Sequence, residues 1–272
     1  MRLLISALCL VSLAATTASA QPFKPNAEGV TMGHWHLNSA NIETNKKIFV
    51  GMGGTASEAG GLHRVTFPGV VIILNVREPA PSKGGTIGSV VNHVGFVVNN
   101  VQEQVAKWKA NGVAVLPGNN NRLDQAFVET PDGLRIEILE DKNQKVAVQH
   151  EHVHFFLPEA EIAKSQAWYG KIFGAKAGTR GPANAPVADV PGVQLRFNKA
   201  DKAQEPTKGR TLDHIGFDVL DLQAFIKKLE ANGIKLDRPY TQQAPGAALA
   251  FITDPWGTYI ELNQRPNPVY LP

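Results

Sequence analysis

The stretch His93-Val-Gly-Phe-Val-Val-Asn-Asn-Val101 decides the fold, because the chain contains four versions of it. The others are His34-Trp-His-Leu-Asn-Ser-Ala-Asn-Ile42, His154-Phe-Phe-Leu-Pro-Glu-Ala-Glu-Ile162 and His214-Ile-Gly-Phe-Asp-Val-Leu-Asp-Leu222. All four align without a gap. An aliphatic residue falls eight positions after each histidine, and a large apolar residue (Phe49, Trp108, Tyr169 or Leu229) falls fifteen after it. Self-similarity of this kind marks a repeated supersecondary unit, since each copy must bury its apolar face against a neighbour.

Each copy reads as a strand running into a helix. The apolar, β-branched run after the histidine suits a strand. Asn41, Asn100 and Asp221, seven positions after their histidines, are residues that cap a helix. Glu161, in the same place in the third copy, caps poorly, so that helix start is less well marked. Gly112, Gly174 and Gly233 follow the helical stretches and suit the left-handed turn past a helix end. Shorter strands broken by turns come next. The closing strands Gly133-Leu-Arg-Ile-Glu137 and Gly257-Thr-Tyr-Ile-Glu261 are relatives of each other, and Gly69-Val-Val-Ile-Ile73 and Gly192-Val-Gln-Leu-Arg196 are their counterparts. The reading is an α+β chain of four βαβββ modules. His34 and His154 lie 120 residues apart, and Glu137 and Glu261 lie 124 apart. That spacing divides the chain into two domains of two modules, 21–140 and 150–272, joined by the polar segment between them.

The 272 residues are 43% hydrophobic and 19% charged, the balance of a soluble globular protein, and a net charge of +3 gives no reason to expect nucleic acid or an anionic membrane as partner. Arg2, the apolar run 3–13 and Ala18-Ser19-Ala20 together read as a signal peptide over residues 1–20. The expectation is an exported protein with no membrane association after cleavage. Its single cysteine, Cys9, lies in that leader, so a mature chain from about Gln21 holds no disulfide.

Side chains alternate along a strand. Leu134, Ile136 and Ile138 then share an inner apolar face, and Glu137 points to the concave side of a curved sheet, as Glu261 does in the last module. The opening histidines point there too. This groups His34, His93 and Glu137 in the first half, and His154, His214 and Glu261 in the second. Two imidazoles and one carboxylate with open positions suit Fe(II) and related divalent ions such as Mn, Ni or Zn. His36 stands close enough to assist His34, and His152 is an alternative to His154. His63 and His150 read as surface residues. Trp35, Phe251 and Tyr259 read as core packing, or as the wall of an apolar pocket.

The histidine-led strand, the helix, and the closing strand after Thr130-Pro-Asp-Gly133 or Thr253-Asp-Pro-Trp-Gly257 resemble the vicinal oxygen chelate superfamily. That superfamily includes glyoxalase I, extradiol dioxygenases, and fosfomycin and bleomycin resistance proteins. The resemblance spans most of residues 33–263. It implies modules paired into two half-open mixed-sheet barrels, each around one divalent metal, with a small oxygen-bearing molecule as substrate or ligand. Ligand positions carried over are His34, Ile73, His93 and Glu137, then His154, Arg196, His214 and Glu261. His154, His214 and Glu261 match the dioxygenase triad in type and order. Glu137 or Glu261 can also serve as catalytic base. Arg196 reads two ways, as a partner for a substrate anion or as an ion-pair partner that fills the site beside Glu261. The chain departs from the dioxygenase pattern in lacking an acid-base histidine after His214, and in having Phe251 where a tyrosine is expected. The implied activity is dioxygenase-like or glyoxalase/lyase-like chemistry; the alternative is a binding or resistance-type protein without turnover.

Overall fold

The computed structural model describes residues 22–75, 83–181 and 183–271, so the leader at 1–20 lies outside the described residues. The first module comprises β1 (Val30–Asn38), α1 (Ile42–Gly51), β2 (Thr55–Ala59), β3 (Leu62–Phe67) and β4 (Val70–Asn75). The second comprises β5 (Val91–Val98), α2 (Val101–Ala110), β6 (Val115–Pro117), β7 (Gln125–Glu129) and β8 (Arg135–Glu140). The third comprises β9 (Gln149–Pro158), α3 (Glu159–Phe173), β10 (Lys176–Arg180), β11 (Ala185–Val190) and β12 (Val193–Ala200). The fourth comprises β13 (Leu212–Val219), α4 (Leu222–Ala231), β14 (Arg238–Ala244), β15 (Ala247–Thr253) and β16 (Tyr259–Gln264).

Three helices begin as their caps require: the side chains of Asn41, Asn100 and Asp221 accept from the backbone N–H of Thr44, Glu103 and Ala224. The third helix starts after Pro158 with no side-chain cap, and Glu161 lies in its first turn. Gly174 ends that helix in the left-handed conformation, at φ 66°.

The strands form two open eight-stranded mixed sheets. One runs β14-β15-β16-β13-β1-β4-β3-β2 and the other β10-β11-β12-β9-β5-β8-β7-β6. The first sheet therefore joins modules one and four, and the second joins modules two and three. Pairing in sequence order, first with second and third with fourth, is not what the strands do. The reason is local. β8 runs parallel to β5, and β9 runs antiparallel to it on the other side, so the chain only has to cross the end of β5 between residues 141 and 148. The two outer modules then find each other through β1 and β13.

One hydrophobic core serves both sheets. Trp35 of β1 packs against His150 of β9 at 5.0 Å and Phe96 of β5 at 5.3 Å. Phe173 of α3 meets Phe217 of β13 at 4.7 Å. Leu134, Ile136 and Ile138 are fully buried in that core. One sequence reading is corrected here. His150 is 1% exposed, not a surface residue, because its strand turns that side to the core. Burial, chiefly, lowers its pKa to about 3, so the ring is neutral, with Nδ1 3.0 Å from the Gly192 carbonyl. His63 is half-buried and lies 3.6 Å from Glu58.

Candidate metal centre

Alternation along β1 sends His34 and His36 to the face opposite Trp35. Two β-bulges set the register around them. Gly33 is the extra residue on β1 and Asp213 the extra residue on β13, so His34 lies opposite Gly216 and His36 opposite His214. Gly216 in turn neighbours Glu261 on the parallel strand β16. The His34 ring crosses over Gly216, where a Cβ would stand 2.0 Å from its Cε1. His34 Nε2 and His214 Nε2 thereby come to 3.4 Å and 2.8 Å from one atom, Glu261 Oε2. The His36 ring flanks them, 4.5 Å from that of His214. One ligand atom from each of these four buried residues lies within 4.8 Å of the others.

The surroundings orient the ligands. Asp213 Oδ1 lies 2.7 Å from His214 Nδ1, while its Oδ2 accepts from Gly209 N and Asn38 Nδ2. A carboxylate held in this way takes the Nδ1–H, so a neutral His214 presents the Nε2 lone pair towards Glu261. Burial pushes the Glu261 carboxyl upward, but His214 and His34 outweigh it and hold the group well below the usual carboxylate range. Among the described residues His34 Nε2 has no hydrogen-bond partner. Two imidazoles and an ionised carboxylate aimed at one point fit a divalent transition-metal ion.

The second sheet repeats the geometry. His152 Nε2 and His93 Nε2 lie 3.1 Å and 3.3 Å from Glu137 Oε2. The His152 ring crosses Gly95, where a Cβ would stand 1.9 Å from its Cε1. His154 Nδ1 lies 3.0 Å from His93 Nε2. By strand position His152 corresponds to His34, His154 to His36, His93 to His214 and Glu137 to Glu261. The grouping read from sequence is thus corrected. His34 is in a different sheet from His93 and Glu137, and His154 is in a different sheet from His214 and Glu261. All six residues face one of the two clusters, but each cluster draws on both halves of the chain.

Chemically the two clusters differ. Arg196 stands beside His154, where Ile73 stands beside His36. Glu151 is the bulge residue of β9, where β1 has Gly33. Arg196 donates to both Glu151 oxygens and approaches Glu137 Oε2 at 3.8 Å. Gln125 donates to Glu137 Oε1, and Arg180 donates to Glu151. Arg196 therefore faces Glu137 and Glu151, not Glu261, with which it shares no sheet. Burial depresses the His152 pKa, but Glu137 and Glu151 outweigh it and raise it to about 9. Burial, chiefly, takes His154 down to about 3, with His93 and His152 adding to the effect. In the second cluster Glu137 and Glu151 thus face groups of the protein's own, the Arg196 guanidinium and His152, whose pKa they raise.

The first cluster opens into a cavity of about 650 Å³ that His34, Glu261, Arg64, Ile73 and Asn263 help to line. Phe251 and Tyr259 stack at 4.9 Å beside His214, so these aromatics flank the centre, while Trp35 belongs to the core. The second cluster borders a smaller cavity, about 330 Å³, lined in part by Glu137, His154, Arg122, Arg180 and Arg196. Sequence reasoning treated His36 and His152 as secondary and missed the roles of Gly95, Gly216 and Asp213. The signals were present as His-x-His in the odd modules and His-x-Gly in the even ones.

Residues 152–262 match the family model described as the Glyoxalase/Bleomycin resistance protein/Dioxygenase superfamily. A comparison with curated protein sequences gave no match. Glyoxalase I from Zea mays shares the fold over 86% of this chain and 92% of its own, at 17% identity and a TM-score of 0.65. A candidate dioxygenase from Bacillus subtilis does so over 91% and 87%, at 13% identity and a TM-score of 0.63. The segment 152–262 spans modules three and four, which lie in different sheets, so the likeness runs through both halves of the structure. Residues 152–262 are thus similar to the glyoxalase, bleomycin resistance protein and dioxygenase superfamily, and the chain as a whole shares the duplicated fold of glyoxalase I.

Proposed function

We propose that this is an exported metal-dependent enzyme acting on a small molecule through two adjacent oxygens, and that His34, His214 and Glu261 hold the metal. The observation that carries the reading is the convergence of two imidazole Nε2 atoms on one Glu261 oxygen at the wall of the larger cavity. His36 stands ready as a further ligand. Fe(II) suits this donor set best, and Mn(II), Ni(II) and Zn(II) also fit it. The bound ion supplies Lewis acidity to the oxygens of the substrate. The chain's own residues do the rest. Asp213 fixes the His214 ring, and Gly216 leaves room for His34. Phe251 and Tyr259 keep water from one side of His214. Glu261 is the carboxylate able to accept a proton from a bound hydroxyl.

Phe251 favours a second reading. It lies opposite Glu261 with no hydroxyl to handle a proton, which suits a protein that binds its ligand without converting it. Turnover of any bound molecule removes that reading.

Metal analysis tests the first. Anaerobic loading with Fe(II) or Mn(II) should give about one equivalent per chain, because protons and Arg196 occupy the second cluster. His214→Ala and Glu261→Gln should abolish that equivalent, and His93→Ala and Glu137→Gln should keep it. Retention of full metal by Glu261→Gln, or no metal in the unmodified chain, would sink the assignment.

A further inference from the structure

The cavity beside the first centre contains two donors that have no partner among the described residues. Arg64 of β3 is half-buried in its wall, and among the described residues its guanidinium has no ion-pair partner. Asn263 of β16 lines the same cavity, and its buried Nδ2 has no hydrogen-bond partner there. The other arginine of the cavity, Arg265, is held by Asp218 at 2.7 Å. A half-buried guanidinium and a buried amide N–H both lose free energy when water leaves and nothing replaces it.

Their placement relative to the metal residues is informative. Arg64 pairs with Ile73, and Ile73 pairs with His36, so Arg64 stands two strands from the centre. Two strand spacings are about 10 Å between backbones, room for a small molecule whose two ends do different things. The duplicated sheet makes the contrast. There Val187 takes the place of Arg64, and the arginine sits one strand closer, at Arg196, against Glu137 and Glu151. In the first sheet the neutral Ile73 and the side-chain-free Gly33 leave the centre clear, and the cation stands beyond it.

Charge points the same way. Among the described residues Arg265 is matched by Asp218, which leaves the Arg64 guanidinium as the cation of this cavity that an anion can meet. We propose that this cavity takes a small organic acid, its adjacent oxygens towards His34, His214 and Glu261 and its carboxylate towards Arg64 and Asn263. The planar fork of a guanidinium matches a carboxylate with two parallel hydrogen bonds. The chelated end rests on the metal reading above; the carboxylate end rests on Arg64 and Asn263 alone.

The test uses three rigid probes with vicinal oxygens at one end: 3,4-dihydroxybenzoate, its neutral amide and the corresponding phosphonate. Each is titrated calorimetrically into Mn(II)-loaded and metal-free full-length protein, with metal content measured alongside. The acid should bind at least about tenfold more tightly than the amide, and at least as tightly as the phosphonate. In Arg64→Met the preference for the acid should fall to within about threefold, with metal content and melting temperature unchanged. Arg64→Lys, which keeps charge and bulk but loses the fork, should fall between. Loss of metal with the acid preference intact in the metal-free protein would overturn the metal reading and support this one. No preference for the acid in unmodified protein, failure of every probe to bind included, overturns the proposal. So does an undiminished preference in Arg64→Met, and a clear preference for the phosphonate overturns the carboxylate.

Discussion

At Gly216 the absence of a side chain lets the His34 ring lie across β13 and reach Glu261. A methyl group there meets the ring at a distance no side chain tolerates, so Gly216→Ala forces His34 away at an overpacking cost of about 1–3 kcal/mol. Metal affinity should fall by roughly 100-fold, read by competition against a chromophoric chelator. Gly95→Ala, the same change over His152, should leave metal binding intact and reduce stability instead. Equal metal affinity in Gly216→Ala and the unmodified protein would show that His34 is not a ligand. A pH experiment probes the second cluster. Burial opposes charge on His152, but Glu137 and Glu151 prevail and raise its pKa to about 9, above the 6.5 of an unfolded chain. A raised histidine pKa means that the stabilisation is complete below pH 6.5 and lost as pH rises through about 9. The interval corresponds to roughly 3 kcal/mol at most. Denaturant titrations of unmodified protein and His152→Gln should therefore show a stability difference that shrinks between pH 6.5 and 9.5. A constant difference would mean that His152 is neutral in the fold.

Within single elements the sequence was highly legible. The caps at Asn41, Asn100 and Asp221, the turn at Gly174, and the burial of Leu134, Ile136 and Ile138 opposite Glu137 all follow from local chemistry that a repeat makes visible four times. The bulges were not legible. Gly33, Asp213, Asn92 and Glu151 each insert one residue into a pairing between strands far apart in sequence, and nothing within one strand marks it. The inserted residues matter, because a bulge re-aims the side chains after it. They explain why aligning first histidines equated His34 with His154, whereas strand position equates it with His152. They also explain why Arg196 was set beside the wrong carboxylate. The opening and closing strands that hold ligands could be named from sequence. Which of them would be neighbours depended on contacts between modules, and there the four copies offered near-equal alternatives.

The arrangement of the whole molecule resolves those alternatives and makes its own prediction. Each sheet takes one module from each half of the chain, so the first centre needs His34 from residues before the 141–148 link and His214 and Glu261 from residues after it. The second needs His93 and Glu137 from before the link and His152 and His154 from after it. A half expressed alone retains all its local signals but lacks the partner strands: β1 without β13 and β5 without β9 leave two sheet edges open in the same fragment. Such edges invite association with other chains. Fragments 22–145 and 146–272 should therefore each be aggregated or expanded when produced separately, and should bind no metal with the affinity of the intact chain. Co-expressed, they should form a stable one-to-one complex, because both sheets can then be completed between them. That complex should recover about one equivalent of metal, and the recovery should vanish with His34→Ala in one fragment or Glu261→Gln in the other. Sequence-order pairing predicts the reverse, two separate soluble fragments that each fold around a site of their own. Size-exclusion chromatography and metal analysis of the separated halves distinguish the two. A monomeric, cooperatively folding fragment 22–145 would contradict the strand order described above.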